Sequence, residues 1–228
     1  GINATDALLI QRHIVYIELL DGLKLEAADV NLSSTISSLD ALLVLRRTVG
    51  YISSFDAGDW IFENPEIIIN NADFTEDFAG LCLGDVNASN TYSSSKNLES
   101  SLTLINDRTI NVSVGEYFDL PISSTNSLDL GAFTLILSYS GKLCEVVEIS
   151  SKAEGMLYNV VENEIRIAWS NAFPIHFNEN EEILSIKMLR TENTESEPRI
   201  NLSYESEFAD ENATVLQGIA ISVPSIKT

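Results

Sequence analysis

The chain has 228 residues, 45% of them hydrophobic, enough to bury one large core or two modest ones. Its 34 acidic against 13 basic side chains give a formal net charge of −21, a field that repels phosphate backbones and anionic lipid surfaces, argues against nucleic acid as a partner and favours cations. No apolar run approaches the roughly 20 residues needed to span a bilayer, and Gly1-Ile2-Asn3-Ala4-Thr5-Asp6 lacks the basic start and apolar middle of a signal peptide, so the chain reads as a soluble fragment with an extracellular or cell-surface setting.

The first elements form an internal repeat. "INATDALLIQRHIV" (2–15) and "ISSLDALLVLRRTV" (36–49) align without gaps and share Asp6/Asp40, the Ala-Leu-Leu that follows, Arg12/Arg46 and Val15/Val49. Leu42, Leu45 and Val49 recur at i, i+3 and i+7, which predicts an amphipathic helix in each copy. Ser37 and Asp40 form a capping pair at the start of the second, and "LKLEAA" (23–28) predicts one or two further helical turns.

The loop before the second helix, "DVNLSSTISSLD" (29–40), places Asp29, Asn31, Ser33, Thr35, Ser37 and Asp40 at positions 1, 3, 5, 7, 9 and 12. A twelve-residue calcium loop uses oxygen ligands at those positions, with a backbone carbonyl at 7 and a carboxylate at 12, because calcium takes six to eight oxygens at about 2.3–2.6 Å. Ser34 stands at position 6, where glycine makes the sharp turn, and only two carboxylates contribute, which sets the expected affinity at about 10⁻⁵ to 10⁻³ M. The alternative is a polar loop that caps a helix without metal. Copy one retains only the back half of such a loop, Asn3 and Asp6, and closes no site without residues upstream. "GDVNASNTYS" (84–93) repeats the front half through Asp85, Asn87, Ser89 and Thr91, then meets Lys96 where the carboxylate belongs; it reads as a weaker metal loop or as an Asn/Asp/Ser turn.

With its partner copy, "ADVNLSSTISSLDALLVLRRTVG" resembles the duplicated loop-helix repeat of type I dockerin domains over residues 1–52. The resemblance implies a small EF-hand-type helical module, stabilised by calcium, that docks on cohesin domains. It carries recognition positions over to Ala4, Thr5 and Arg12 in copy one and to Ser38, Leu39 and Arg46 in copy two. The pairs Ala4-Thr5 and Ser38-Leu39 differ, which puts equivalent binding by the two copies in doubt.

Residues 53–98 read as an ordered connector, with a short apolar run at Ile67-Ile68-Ile69, ending in a flexible Ser/Asn-rich linker near 90–98. From there the chain alternates short β-branched and aromatic runs with Gly, Asn, Ser and Pro, the pattern of an all-β sandwich. "VSVGEYFDLPISS", "GAFTLILSYSGKLCEVVEI", "EIRIAWSNA" and "EILSIKMLR" are similar to cohesin domains in order and spacing over about 99–224, which implies a nine-stranded jelly-roll sandwich within a domain spanning 99–228. Phe133 and Trp169 are expected in its core. The fold class expected is thus multidomain, an α module plus an all-β sandwich.

Cys82 and Cys144 have no zinc-ligand spacing and are either a disulfide or two thiols. Of two histidines, His13 is expected exposed on its helix and His176 in a loop; no G-x-S-x-G, phosphate loop or H-E-x-x-H occurs. The sequence therefore predicts a noncatalytic, calcium-dependent scaffolding module, linked through the two families to polysaccharide degradation, with a cohesin- or dockerin-type partner and head-to-tail self-association as a further expectation. The rival readings are a structural stalk, a carbohydrate-binding accessory region, and an appendage of a glycoside hydrolase.

Overall fold

The computed structural model describes residues 1–65, 75–89, 101–140, 143–192 and 199–227. Three helices, α1 (Ala4–Ile14), α2 (Gly22–Ala28) and α3 (Ser38–Thr48), precede the strands. Both repeat helices open on a reciprocal capping box, Asn3 with Asp6 in α1 and Ser37 with Asp40 in α3, each satisfying amides that the first helical turn leaves orphaned. α1 packs on α3, and Ala7, Leu8, Ile10, Val44, Leu45 and Val49 close a small apolar core between them.

A two-stranded antiparallel ribbon follows, β1 (Trp60–Phe62) with β2 (Gly80–Cys82). Phe55, Leu83 and Val86 bury their side chains in the helical core, so the stretch expected as a connector supplies part of that core. The Ile67–Ile69 run and the linker expected at 90–98 lie outside the described residues.

The remainder is a sandwich. One sheet has the order β3 (Leu102–Ile105), β13 (Ile219–Ser222), β5 (Tyr117–Ser124), β10 (Glu182–Arg190), β7 (Cys144–Ser150). The other runs β11 (Ile200–Leu202), β6 (Leu128–Tyr139), β9 (Glu164–Phe177), β8 (Leu157–Val161), with β12 (Glu207–Ala209) also on β6. β4 (Thr109–Asn111) and β14 (Ser225–Lys227) form a separate parallel pair. Phe133 and Trp169 meet in the core with ring centroids 5.6 Å apart, and the Trp169 indole N–H donates to the Glu154 carbonyl at 2.9 Å. Each such large side chain contributes roughly 1.5–3 kcal/mol by burial.

Two expectations change. His176 is in strand β9 opposite Asp129, because register with β6 extends through the Phe-Pro-Ile-His stretch. His13 is half-buried, and its Nδ1 accepts the Leu20 N–H at 3.0 Å, which pins the turn after α1. Cys82 and Cys144 are not joined to each other by a disulfide. No helix among the described residues is long and apolar enough to cross a membrane.

Candidate cation loop and docking face

The loop at 29–40 is fully formed. Asp29 accepts the Ser33 N–H on Oδ1 at 2.9 Å and the Ser34 N–H on Oδ2 at 2.7 Å; Asn31 Oδ1 accepts the Ser33 N–H at 2.9 Å. The Ser33 hydroxyl donates to the Thr35 carbonyl at 2.9 Å and lies 3.1 Å from Thr35 Oγ1, which leaves it one lone pair when that hydroxyl donates to it. Ser34 takes the left-handed conformation (φ 64°) that position 6 requires, at a cost of about 1–2 kcal/mol for a residue with a Cβ.

Asp40 serves as a helix cap without excluding a metal. Its Oδ2 accepts the Ser37 N–H at 2.9 Å and the Ser37 hydroxyl at 3.0 Å, whereas Oδ1 is buried and has no hydrogen-bond partner among the described residues. A buried carboxylate oxygen left unmatched costs about 1–3 kcal/mol or more. Carboxylate, amide, hydroxyl and carbonyl oxygens make a donor set suited to calcium, and a cation in this loop would satisfy the orphan.

The other expected ligands come together from opposite ends of the module. Asp85, Asn87 and Ser89 lie against Asn3 and Asp6, with the Asn87 N–H donating to Asp6 Oδ1 at 3.1 Å. Asp6 and Asp85 are both fully buried, and burial, then the nearby Asp85 charge, push the Asp6 carboxyl up to about 8. Thr91 lies outside the described residues.

The expected recognition residues divide by copy. In copy one, Ala4, Thr5 and Arg12 are buried against the sandwich of the same chain. Ala4 N–H donates to Thr134 Oγ1 at 3.2 Å, Thr5 Oγ1 to Glu207 Oε1 at 2.6 Å, and Arg12 Nη1 to the Glu211 carbonyl. Burial raises the Glu207 carboxyl above its ordinary value. In copy two, Ser38 and Arg46 are exposed, as is half of Leu39, with Leu42 between them on the α3 surface. The copy-one residues are thus engaged by the sandwich of their own chain.

Sequence reasoning missed that seat. The outer face of β6, β9 and β12 carries Ala132, Thr134, Ala168, Ser170 and Ala209, all small and buried, and α1 lies directly on it. The signal was present in β6, where "GAFTLIL" stays apolar through both faces, as a strand covered on both sides does.

Among solved structures the chain is similar to CaCohA2 from Clostridium acetobutylicum (15% identity, covering 57% of this chain and 93% of that one, TM-score 0.47). It is also similar to a non-cellulosomal cohesin from the hyperthermophilic archaeon Archaeoglobus fulgidus (16%, 53% and 88%, TM-score 0.44). A third is a chain of a type I cohesin-dockerin complex from Clostridium thermocellum (19%, 52% and 94%, TM-score 0.41). No curated protein matches the chain. Residues 1–47, the stretch that holds α1, α2, the 29–40 loop and most of α3, match the family Dockerin type I domain.

Proposed function

We propose that the protein is a noncatalytic, calcium-dependent assembly module of a secreted or surface-attached protein, and that it holds a cohesin-type partner through the exposed face of α3. The observation that carries this reading is the dockerin match over residues 1–47, joined to a 29–40 loop already shaped around Asp29 and Asp40 with one buried oxygen of Asp40 unmatched. Calcium in that loop, held by Asp29, Asn31, Ser33, the Thr35 carbonyl, Ser37 and Asp40, fixes the N-terminus of α3 and so the pose of Ser38, Leu39, Leu42 and Arg46. Because α1 is engaged by its own sandwich, the outside partner meets copy two. The strong negative charge and the dockerin setting support an extracellular location and a link to polysaccharide degradation.

The test is calorimetric titration of the whole chain with purified cohesin-type domains, in calcium and in chelator. Binding that needs calcium and weakens in Leu39→Ala and Arg46→Ala supports the reading; binding indifferent to both variants removes α3 as the docking face.

One observation favours a second reading, a carbohydrate-binding accessory role. Trp60, Phe62 and Phe78 are all more than half exposed on the β1–β2 ribbon, with Trp60 and Phe62 nearly parallel at 6.2 Å and Phe78 edge-on to Phe62. Retention on insoluble polysaccharide that is lost in Trp60→Ala is the outcome this reading requires.

A further inference from the structure

Residues 85–89 carry the front ligand positions of a calcium loop, and residues 1–6 carry back positions of one. The fold brings them into register. Counting Asp85 as position 1, Asn87 and Ser89 take positions 3 and 5; counting back from Asp6 as position 12, Asn3 takes 9 and Gly1 takes 7, the place whose backbone carbonyl serves as ligand in a loop of this kind.

Several hydrogen bonds of the continuous loop recur here, with two differences: Asp6 Oδ1 accepts the Asn87 N–H where Asp40 Oδ1 is unmatched among the described residues, and the Gly1 ammonium donates to Ser89 Oγ at 2.5 Å. Ser89 N–H donates to Asp85 Oδ1 at 3.0 Å and Asn87 Oδ1 at 2.8 Å, as Ser33 N–H does to Asp29 and Asn31 at 2.9 Å each. The Ser89 hydroxyl donates to the Gly1 carbonyl at 3.2 Å, as Ser33 does to the Thr35 carbonyl at 2.9 Å. Ala88 has φ 56° where Leu32 has φ 57°. Asn3 and Asp6 build the same capping box at the start of α1 that Ser37 and Asp40 build at α3.

The burial is an independent observation. Asp6 and Asp85 come from segments 79 positions apart, yet both side chains are fully withdrawn from water in one place; among the described residues no lysine or arginine forms an ion pair with Asp6, and the positive charge near it is the Gly1 ammonium, which donates to Ser89 Oγ at 2.5 Å. Two carboxylates gathered out of solvent repel each other, an arrangement that a divalent cation between them reverses.

We infer that Asp85, Asn87 and Ser89 join the Gly1 carbonyl, Asn3 and Asp6 in a second calcium site, split across the chain, whose ion staples the start of α1 to the end of the β1–β2 segment. The dockerin match ends at residue 47, so the front half of this site is supplied from outside it. The ion would sit at the foot of the helix that rests on the sandwich, next to Ala4 and Thr5, and would therefore set the pose of α1 on β6 and β12. The inference rests on the calcium reading of the 29–40 loop, and stoichiometry separates the two.

Calcium binding to the whole chain is measured by equilibrium dialysis and calorimetry, on the wild type, Asp40→Ala, Asn87→Ala and Asp85→Ala, with folding of each followed by circular dichroism. The expected result is two ions per wild-type chain and one in Asp40→Ala. Asn87→Ala, which keeps the backbone donor to Asp6 and spares the buried carboxylates, should weaken one ion by roughly 10- to 100-fold and leave the other, a loss seen even for groups that only support metal ligands. It remains decisive if Asp85→Ala does not fold. One ion per wild-type chain with Asn87→Ala unchanged overturns the split site and spares the continuous loop; one ion that vanishes in Asn87→Ala but survives in Asp40→Ala overturns the continuous loop instead; no ion at all overturns both.

Discussion

Gly131 of β6 lies so close beneath Leu8 of α1 that a Cβ on it would fall 2.8 Å from Leu8 Cδ2 and 2.5 Å from the Asp210 carbonyl oxygen. The helical module is seated on the sandwich at this point, beside the register shift between Leu130 and Ala132. Gly131→Ala is expected to displace the Asp210 backbone and turn the Leu8 side chain aside, loosening the seat of α1 at a cost of about 1–3 kcal/mol, the range for overpacking a close contact. Urea unfolding should show the lowered midpoint, and limited proteolysis should cut the α1–α2 turn faster; an unchanged midpoint would show that the helix rides loosely on the sheet.

Thr5 gives the same contact its polar anchor. Glu207 is mostly buried, and the Thr5 hydroxyl donates to its Oε1 at 2.6 Å, with the Asn3 side chain also hydrogen-bonded to the carboxylate. Thr5→Val should cost about 1.5–3 kcal/mol, the value for a hydrogen bond to a charged group, whereas Thr5→Ser should cost less than half of that. Equal stability of the two variants in thermal unfolding would remove the hydrogen bond from the account.

Asp40 carries both a cap and a candidate ligand, so its replacement should cost different amounts with and without calcium. In chelator, Asp40→Ala loses the capping box, about 0.5–2 kcal/mol. In calcium at about 100 times the dissociation constant the wild type gains a further 2.7 kcal/mol or so at that site, and the gap between the two proteins should widen accordingly. A gap that stays constant on adding calcium counts against the ion in this loop.

Arg190, on the core side of β10, is fully buried, and among the described residues its Nε, Nη1 and Nη2 have no hydrogen-bond partner. A guanidinium withdrawn from water without partners destabilises the folded state, and apolar replacements of buried charges are often neutral or stabilising by about 1–4 kcal/mol. Arg190→Met keeps the volume and should raise the urea midpoint. A fall would mean that the charge has work to do at this end of the sandwich.

The sequence showed the repeat directly, because helix periodicity, capping and ligand spacing are local and all fall within fourteen residues of Asp6 or Asp40. It showed the sandwich for a similar reason, since alternation along "NEIRIAWS" or "EILSIKMLR" records which face of each strand is dry. It read the half-loops at 1–6 and 85–89 one at a time. Nothing local in either one names the other.

What the sequence determined by itself is therefore the set of elements and the chemistry each can carry: two capped amphipathic helices, oxygen-rich loops and a run of alternating strands. Tertiary structure alone decided which face of the repeat is spent inside the molecule and which remains free, because that depends on the small side chains of β6, β9 and β12 lying side by side, although they come from distant parts of the chain. It decided likewise that Asp6 meets Asp85, since the cost of bringing two carboxylates together out of water is set by what surrounds them in space and leaves no trace in the spacing of either segment.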